Sequence, residues 1–318
     1  MTGAARIQPV THPPGPSRNA LKGTDPGRRG RGANGSTGWF GAALVAPACL
    51  VLLIVLVLPS LFAFAYSFLK LNYTAPQGFG GLTNWNRAVF QPEMVGLLVR
   101  TAVFVAGSVA LTIAVSLPIA HFLDRIGNRI STILQLVVII PWVMSSIVAA
   151  LLFRWTMLEN IGIVSFIAEH LGAGWDPLLS PTQSMISMIV VASWRTAGFA
   201  VLLLLAGFKG VDRQLYESAR IDGASRFQEF RYVALPGIRT QLIIVTVVLF
   251  MSNLNNVEVP LTVTNGGPGD ATMVLPLRIY ELAFSKFDFG GATAMAAAAM
   301  LLNVALVVVY LRLTFRKR

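Results

Sequence analysis

The sequence predicts an all-α membrane protein with six transmembrane helices. Three observations carry this expectation. Of 318 residues, 55% are hydrophobic and only 12% are charged, against about 25% charged in a soluble domain. The mean hydropathy is +0.67. Six apolar runs are each long enough to cross the hydrocarbon core, which takes about 20 helical residues. This composition excludes a disordered chain, an ordinary soluble enzyme and a nucleic-acid-binding domain.

The runs follow in order. The first covers residues 41–68, inside a stretch without charge from 32 to 69. The second covers 101–123. The third, 130–153, contains Pro141, and the fourth, 184–208, contains Arg195. The fifth, 238–263, turns polar in its second half, and the sixth covers 292–311. Barrel strands would be about ten residues long and would alternate in polarity. These runs are longer and apolar on every side, so helices are expected.

Charge sets the orientation. The formal net charge is +11. Basic residues gather in the N-terminal tail, at Arg125 and Arg129, across 209–240 and at the C-terminus, 18 in all. The alternate segments hold six: Lys70, Arg87, Arg100, Arg154, Arg278 and Lys286. Positive residues mark cytoplasmic loops, so both termini are expected in the cytoplasm. The basic excess is then an orientation signal, and no nucleic-acid partner is expected. The tail, residues 1–38, is rich in Gly, Pro and Arg and is expected to be disordered; residues 39–318 are expected to form the six-helix membrane domain. Cys49, the lone cysteine, lies in the first run, where a buried inert thiol is expected.

No catalytic set is legible. His12, His121 and His170 lie in separate segments, and no paired cysteines or clustered carboxylates suggest a metal site. There is no Gly-Lys pair and hence no phosphate-binding P-loop. No cofactor is expected on this chain, and any ATP must be bound by another.

The longest basic connection, residues 209–240, reads as a helix, a turn at Gly223 and a second helical piece stopped by Pro236. Leu215, Tyr216 and Ala219 share one helical face. An amphipathic hairpin lying on the membrane would also account for its arginines and aromatics.

This loop resembles the signature of binding-protein-dependent ABC importer permeases: Glu-Ala-Ala, three residues, Gly, nine residues, Ile, one residue, Leu-Pro. The chain has Glu217-Ser218-Ala219, then Gly223, then Val233, then Leu235-Pro236. Every spacing agrees, with Ser218 and Val233 as departures of similar size. The resemblance implies a type I importer permease fold, with a coupling helix that inserts into an ATPase subunit. Glu217, Ser218, Ala219, Asp222, Gly223, Ala224, Leu235 and Pro236 would form the ATPase-coupling element. Gly81-Leu82-Thr83-Asn84-Trp85, Pro141-Trp142, Trp194-Arg195 and Thr264-Asn265-Gly266-Gly267-Pro268 resemble motifs of the carbohydrate and glycerol phosphate class. They are similar to its first-named, maltose-permease-like half, without the large periplasmic insert. That resemblance implies a second, different permease subunit, two ATP-binding subunits holding ATP and Mg, and an extracytoplasmic solute-binding protein, all at a bacterial inner membrane. Gly81, Asn84, Trp85, Gly266, Gly267 and Pro268 would lie in loops facing that binding protein.

Polar groups inside a span face a cavity or a partner. Asn253, Asn255, Asn256 and Glu258 crowd the fifth run, with Asn253–Asn256 and Asn255–Glu258 each three apart and expected to share a face. Amides and carboxylates suit sugar hydroxyls, and helix–helix contact is the other use of such residues. Trp142 and Arg195 complete the candidate solute pathway. For Arg195 a structural ion pair or carbonyl contact is favoured over solute contact. The alternating rival is an ion-coupled secondary transporter, which tends to carry several intramembrane carboxylates; Glu258 is alone.

Overall fold

The computed structural model describes residues 36–158, 161–170, 172 and 176–315. The tail expected to be disordered lies outside them, except that helix begins already at Ser36, inside its expected boundary. The described residues divide into two units, before and after the Leu58–Pro59 bond. The described part of the first is α1, Ser36–Leu52, followed by one π-helical turn, Leu53–Val57. Ala43–Tyr66 forms one apolar candidate span. Cys49 is exposed on it rather than buried, as are its apolar neighbours Leu50 and Val51. A helix apolar on all sides suits a lipid environment, since its backbone groups are satisfied internally.

The second unit opens with α2, Leu58–Tyr66, and a hairpin of β1, Leu69–Asn72, and β2, Ala75–Phe79. A short α3, Thr83–Ala88, precedes α4, Glu93–Arg125. Then come α5, Asn128–Val143, α6, Ser146–Thr156, α7, Ile163–His170, and α8, Pro181–Lys209.

The core is the pairing of α4 with α8. Thr112 meets Thr196 at 3.1 Å, the Ser193 hydroxyl donates to the Ser108 carbonyl, and the Ser116 hydroxyl donates to the Ala197 carbonyl. Nearer the helix ends, His121 packs on Phe208. The partners rise together in number, so α4 and α8 run parallel. The chain between them must therefore return across the bundle. Small hydroxyl residues at this seam let the backbones approach and supply hydrogen bonds where lipid offers none.

The return is made by α5 and α6, which together cover the third apolar run. They meet at 93°. Met144 and Ser145 are extended, ending one helix and starting the next. Pro141 has already removed a donor from the last turn of α5. At Gly198 the α8 backbone lies against α5: a Cβ there would run into the Val138 carbonyl oxygen.

The fifth run is also broken. The α12 helix, Arg239–Leu254, stops before Asn255, and α13 covers Glu258–Val263. After α14, Leu275–Tyr280, and a π-helical turn, Glu281–Ser285, α15 covers Phe289–Phe315. Its Ala294 and Ala297 are buried against Trp85, so the alanine-rich start of the sixth run is a packing surface.

Candidate functional site

The loop after α8 is built by local capping. Asp212 accepts the Gln214 N–H at 2.9 Å and starts α9, Arg213–Ile221. Gly223 ends it with φ of +80°, a left-handed backbone that suits glycine. The Gly223 N–H donates to the Arg220 carbonyl and the Ala224 N–H to the Ala219 carbonyl, closing the helix end. Ser225 then opens α10, Arg226–Glu229, through a reciprocal box with Gln228. A π-helical turn, Phe230–Ala234, leads into α11, Leu235–Gly237. Pro236 therefore does not stop this piece. It lies within α11, which continues from the π-helical turn, and the 69° bend falls between Gly237 and Arg239.

The residues of the loop signature are displayed. Glu217, Ser218, Asp222, Gly223 and Pro236 are exposed, while Ala219, Ala224 and Leu235 are half-buried. Beside them lies a carboxylate that sequence reasoning missed. Glu229 is 3% exposed and paired with Arg220 at 2.8 Å and Arg125 at 2.9 Å. Hydrogen bonding from Arg220, reinforced by Arg125, outweighs the effect of burial and holds its carboxyl below the ordinary value. The available signal was the one acid between Gly223 and Thr240, in a stretch that also holds Arg226, Arg231 and Arg239. A cavity of about 1280 Å³ opens here, lined by Arg125, Tyr216, Glu217, Arg220 and Glu229 among others.

Within the membrane domain the candidate pathway residues divide. Asn253 is buried, with its Nδ2 donating to the Leu249 carbonyl and its Oδ1 without a hydrogen-bond partner. Asn256 is buried and its Oδ1 accepts the Val259 N–H, a donor freed at the restart of α13. Asn255 is exposed and forms an amide pair with Asn303 of α15 at 3.4–3.5 Å. The chain break puts Asn255 and Asn256 outside α12, so the regular helical faces expected over 253–258 do not exist. Glu258 is exposed at the first residue of α13.

Arg195 corrects the expectation of an ion pair. Among the described residues it has no salt bridge with Glu258 or any other acid, and its Nε is buried without a hydrogen-bond partner. Phe199, one turn further along α8, stacks on Trp142 with centroids 5.3 Å apart. Trp194 packs edge-on to Phe153. Trp142 of α5 therefore meets α8 at Phe199, one turn beyond Arg195.

At the other end of the bundle two motif residues turn inward. Asn84 and Trp85 are buried. The Asn84 Nδ2 donates to the Ser67 and Leu69 carbonyls, and the Trp85 Nε1 donates to the Ser67 hydroxyl. Their side chains therefore do not face a binding protein; they fasten α3 to the chain leaving α2. Gly266 is also buried, whereas Gly81, Gly267 and Pro268 are partly exposed. The Thr272 hydroxyl donates to the Gly267 carbonyl at 2.7 Å and ties that loop.

Four helices among the described residues, or six if each bent pair is one span, are long and apolar enough to cross a membrane, which makes this a membrane-embedded component. Residues 112–318 match the family described as binding-protein-dependent transport system inner membrane component, and the chain belongs to that family. It is 27% identical over 277 residues to the sulfoquinovosyl glycerol transport system permease SmoG of Agrobacterium fabrum, covering 85% of this chain and 88% of that one. It is 29% identical over 280 residues to the trehalose/maltose permease MalF of Thermococcus litoralis, covering 86% and 92%. In fold it is similar to a chain of a bacterial ABC transporter that imports the acidic polysaccharide alginate, with a TM-score of 0.75, 20% identity, and 88% and 96% of the two chains covered.

Proposed function

We propose that this chain is the membrane-spanning subunit of an ATP-driven importer for a carbohydrate or carbohydrate-like solute. The observation that carries the reading is the loop at residues 212–237. Its signature residues are displayed at the surface, on a capped helix and a left-handed glycine turn. The family membership and the sugar-transport names of the relatives support the solute class.

In this reading the chain itself is not an enzyme. Two ATP-binding subunits hold ATP and Mg, and α9 seats in one of them through Glu217, Ser218 and Ala219. A second, different permease completes the pathway, and a binding protein delivers solute at the opposite end. The parity of basic residues puts both termini and the 209–240 loop in the cytoplasm of a bacterial cell. Asn253, Asn255, Asn256 and Glu258 supply amide and carboxylate groups for solute hydroxyls, while Trp142 offers an aromatic face. Arg195, lacking an internal partner, faces solute or the second permease. The loop surface left partly exposed at residues 81, 267 and 268 is where the binding protein rests.

The test is affinity purification of the tagged chain from gently solubilised native membranes. Co-purification of an ATP-binding subunit and a second permease is expected. Solute uptake by the reconstituted chain alone would overturn the assembly.

A further inference from the structure

We propose that Glu229 is a positioning residue that joins the coupling loop to α4, so that displacement of α9 is delivered to a helix to which the loop has no direct chain connection. This rests on the coupling reading above. The loop is tethered covalently only to α8 and α12. Without another link, a push on α9 reaches α4 only through those helices. Glu229 supplies the link. One carboxylate oxygen accepts from Arg220 at the end of α9, and the other accepts from Arg125 at the end of α4.

The geometry favours a rigid link over an ordinary surface pair. Exposed ion pairs contribute little because both partners remain hydrated. Here the carboxylate is 3% exposed, while Arg125 and Arg220 are 27% and 61% exposed. Removing either arginine leaves a buried charge half-compensated, which is costly. Next to it, the His121 ring of α4 meets Phe230 edge-on at 4.9 Å and packs on Phe208 of α8 at 5.2 Å. The residue after Glu229 is thus keyed into the α4–α8 seam. The signature residues Glu217 and Gly223 make no part of this contact. They face outward, and Glu229 faces inward, from the same loop.

The charges around it are mixed. Asp124, Arg125, Lys209, Arg213, Glu217, Arg220 and Arg226 line the adjoining cavity. Among the described residues, Arg125 and Arg220 alone pair with Glu229. Because the arginines keep access to water, neutralising Glu229 leaves two solvated cations and preserves the fold. Neutralising Arg125 leaves a buried anion and costs more.

The experiment uses the purified assembly with Cys49 replaced and spin labels placed at two exposed positions, Phe122 on α4 and Gln214 on α9. The interspin distance is measured without nucleotide and with ATP under conditions that block hydrolysis. ATP hydrolysis is measured on the same samples. The native chain is expected to hold one narrow separation in both states, because α4 and α9 move together. Glu229→Gln is expected to lose that constancy, broadening or shifting the separation on ATP addition while hydrolysis persists. Glu229→Asp, which keeps the charge, is expected to restore it at least in part. An unchanged narrow separation in Glu229→Gln overturns the proposal. Should that variant fail to assemble, Arg125→Gln with Glu229→Gln removes the buried charge together with its α4 partner, and the same separation is read. Absence of a co-purifying ATPase from the native sample would instead overturn the coupling reading itself.

Discussion

The two ends of the bundle use sequence motifs in opposite ways. At the α9 end, Glu217, Ser218 and Gly223 are exposed and carry no part of the core. At the α3 end, Asn84 and Trp85 are buried and make three hydrogen bonds that hold neighbouring segments together. A short motif recognisable by residue type therefore says little about whether it meets a partner. Burial and hydrogen bonding decide that. The displayed motif should govern transport at little cost in stability, and the buried one should govern stability first.

Trp85→Ala should be the most destructive change to the fold. It deletes a buried indole packed against Phe68, Ala294 and Ala297, at a cost of about 3–5 kcal/mol. A fall in the thermal unfolding temperature of the purified assembly is expected. Asn84→Ala should follow, at about 1–3 kcal/mol, because the Ser67 and Leu69 carbonyls lose their donor. Gly223→Ala should cost about 1–2 kcal/mol for its left-handed backbone, with a larger loss of uptake than of stability. Glu217→Gln should shift stability by no more than about 0.5 kcal/mol, yet abolish ATP-driven uptake in vesicles. Equal stability losses at both ends would erase the contrast.

A pH dependence sharpens the same contrast. Glu229 has a folded-state pKa below its unfolded value, so its contribution is full above the unfolded pKa. It is lost as pH falls through the folded one. Protection against hydrogen exchange in residues 213–229, corrected for the intrinsic exchange rate at each pH, should therefore fall in acid, and Glu229→Gln should remove that acid dependence. At the other end, burial alone would raise the Glu281 carboxyl, but hydrogen bonds from Lys286 and Arg278 lower it. Its stability term has the same sign and should be insensitive to the Glu229 change.

Much of the fold was legible because lipid imposes length: the apolar runs had to be helices of about 20 residues. Breaks within them were less legible. Pro141 signals a weak point, yet the 93° bend falls at Met144 and Ser145, whose residue types permit an extended chain without demanding it. The same holds for Asn255 and Asn256, where helix ends and restarts through a side-chain contact to Val259. The loop was legible in its turn, since Gly223 fits a left-handed position, but not in its anchor. Glu229 meets Arg125 from more than a hundred positions away, a pairing that only the α4–α8 seam creates. Arg195 shows the limit from the other side. Its cost in lipid was evident, but the expected internal partner was not built.

The most direct test takes the native assembly and Glu217→Lys in the same lipid vesicles. ATP hydrolysis, solute uptake and thermal unfolding are measured side by side, with an imposed ion gradient as the alternative driving force. The account predicts ATP-driven uptake in the native sample, and its loss in Glu217→Lys at an unchanged unfolding temperature. Uptake driven by the ion gradient with no ATP-binding subunit present, and undiminished in Glu217→Lys, would contradict it.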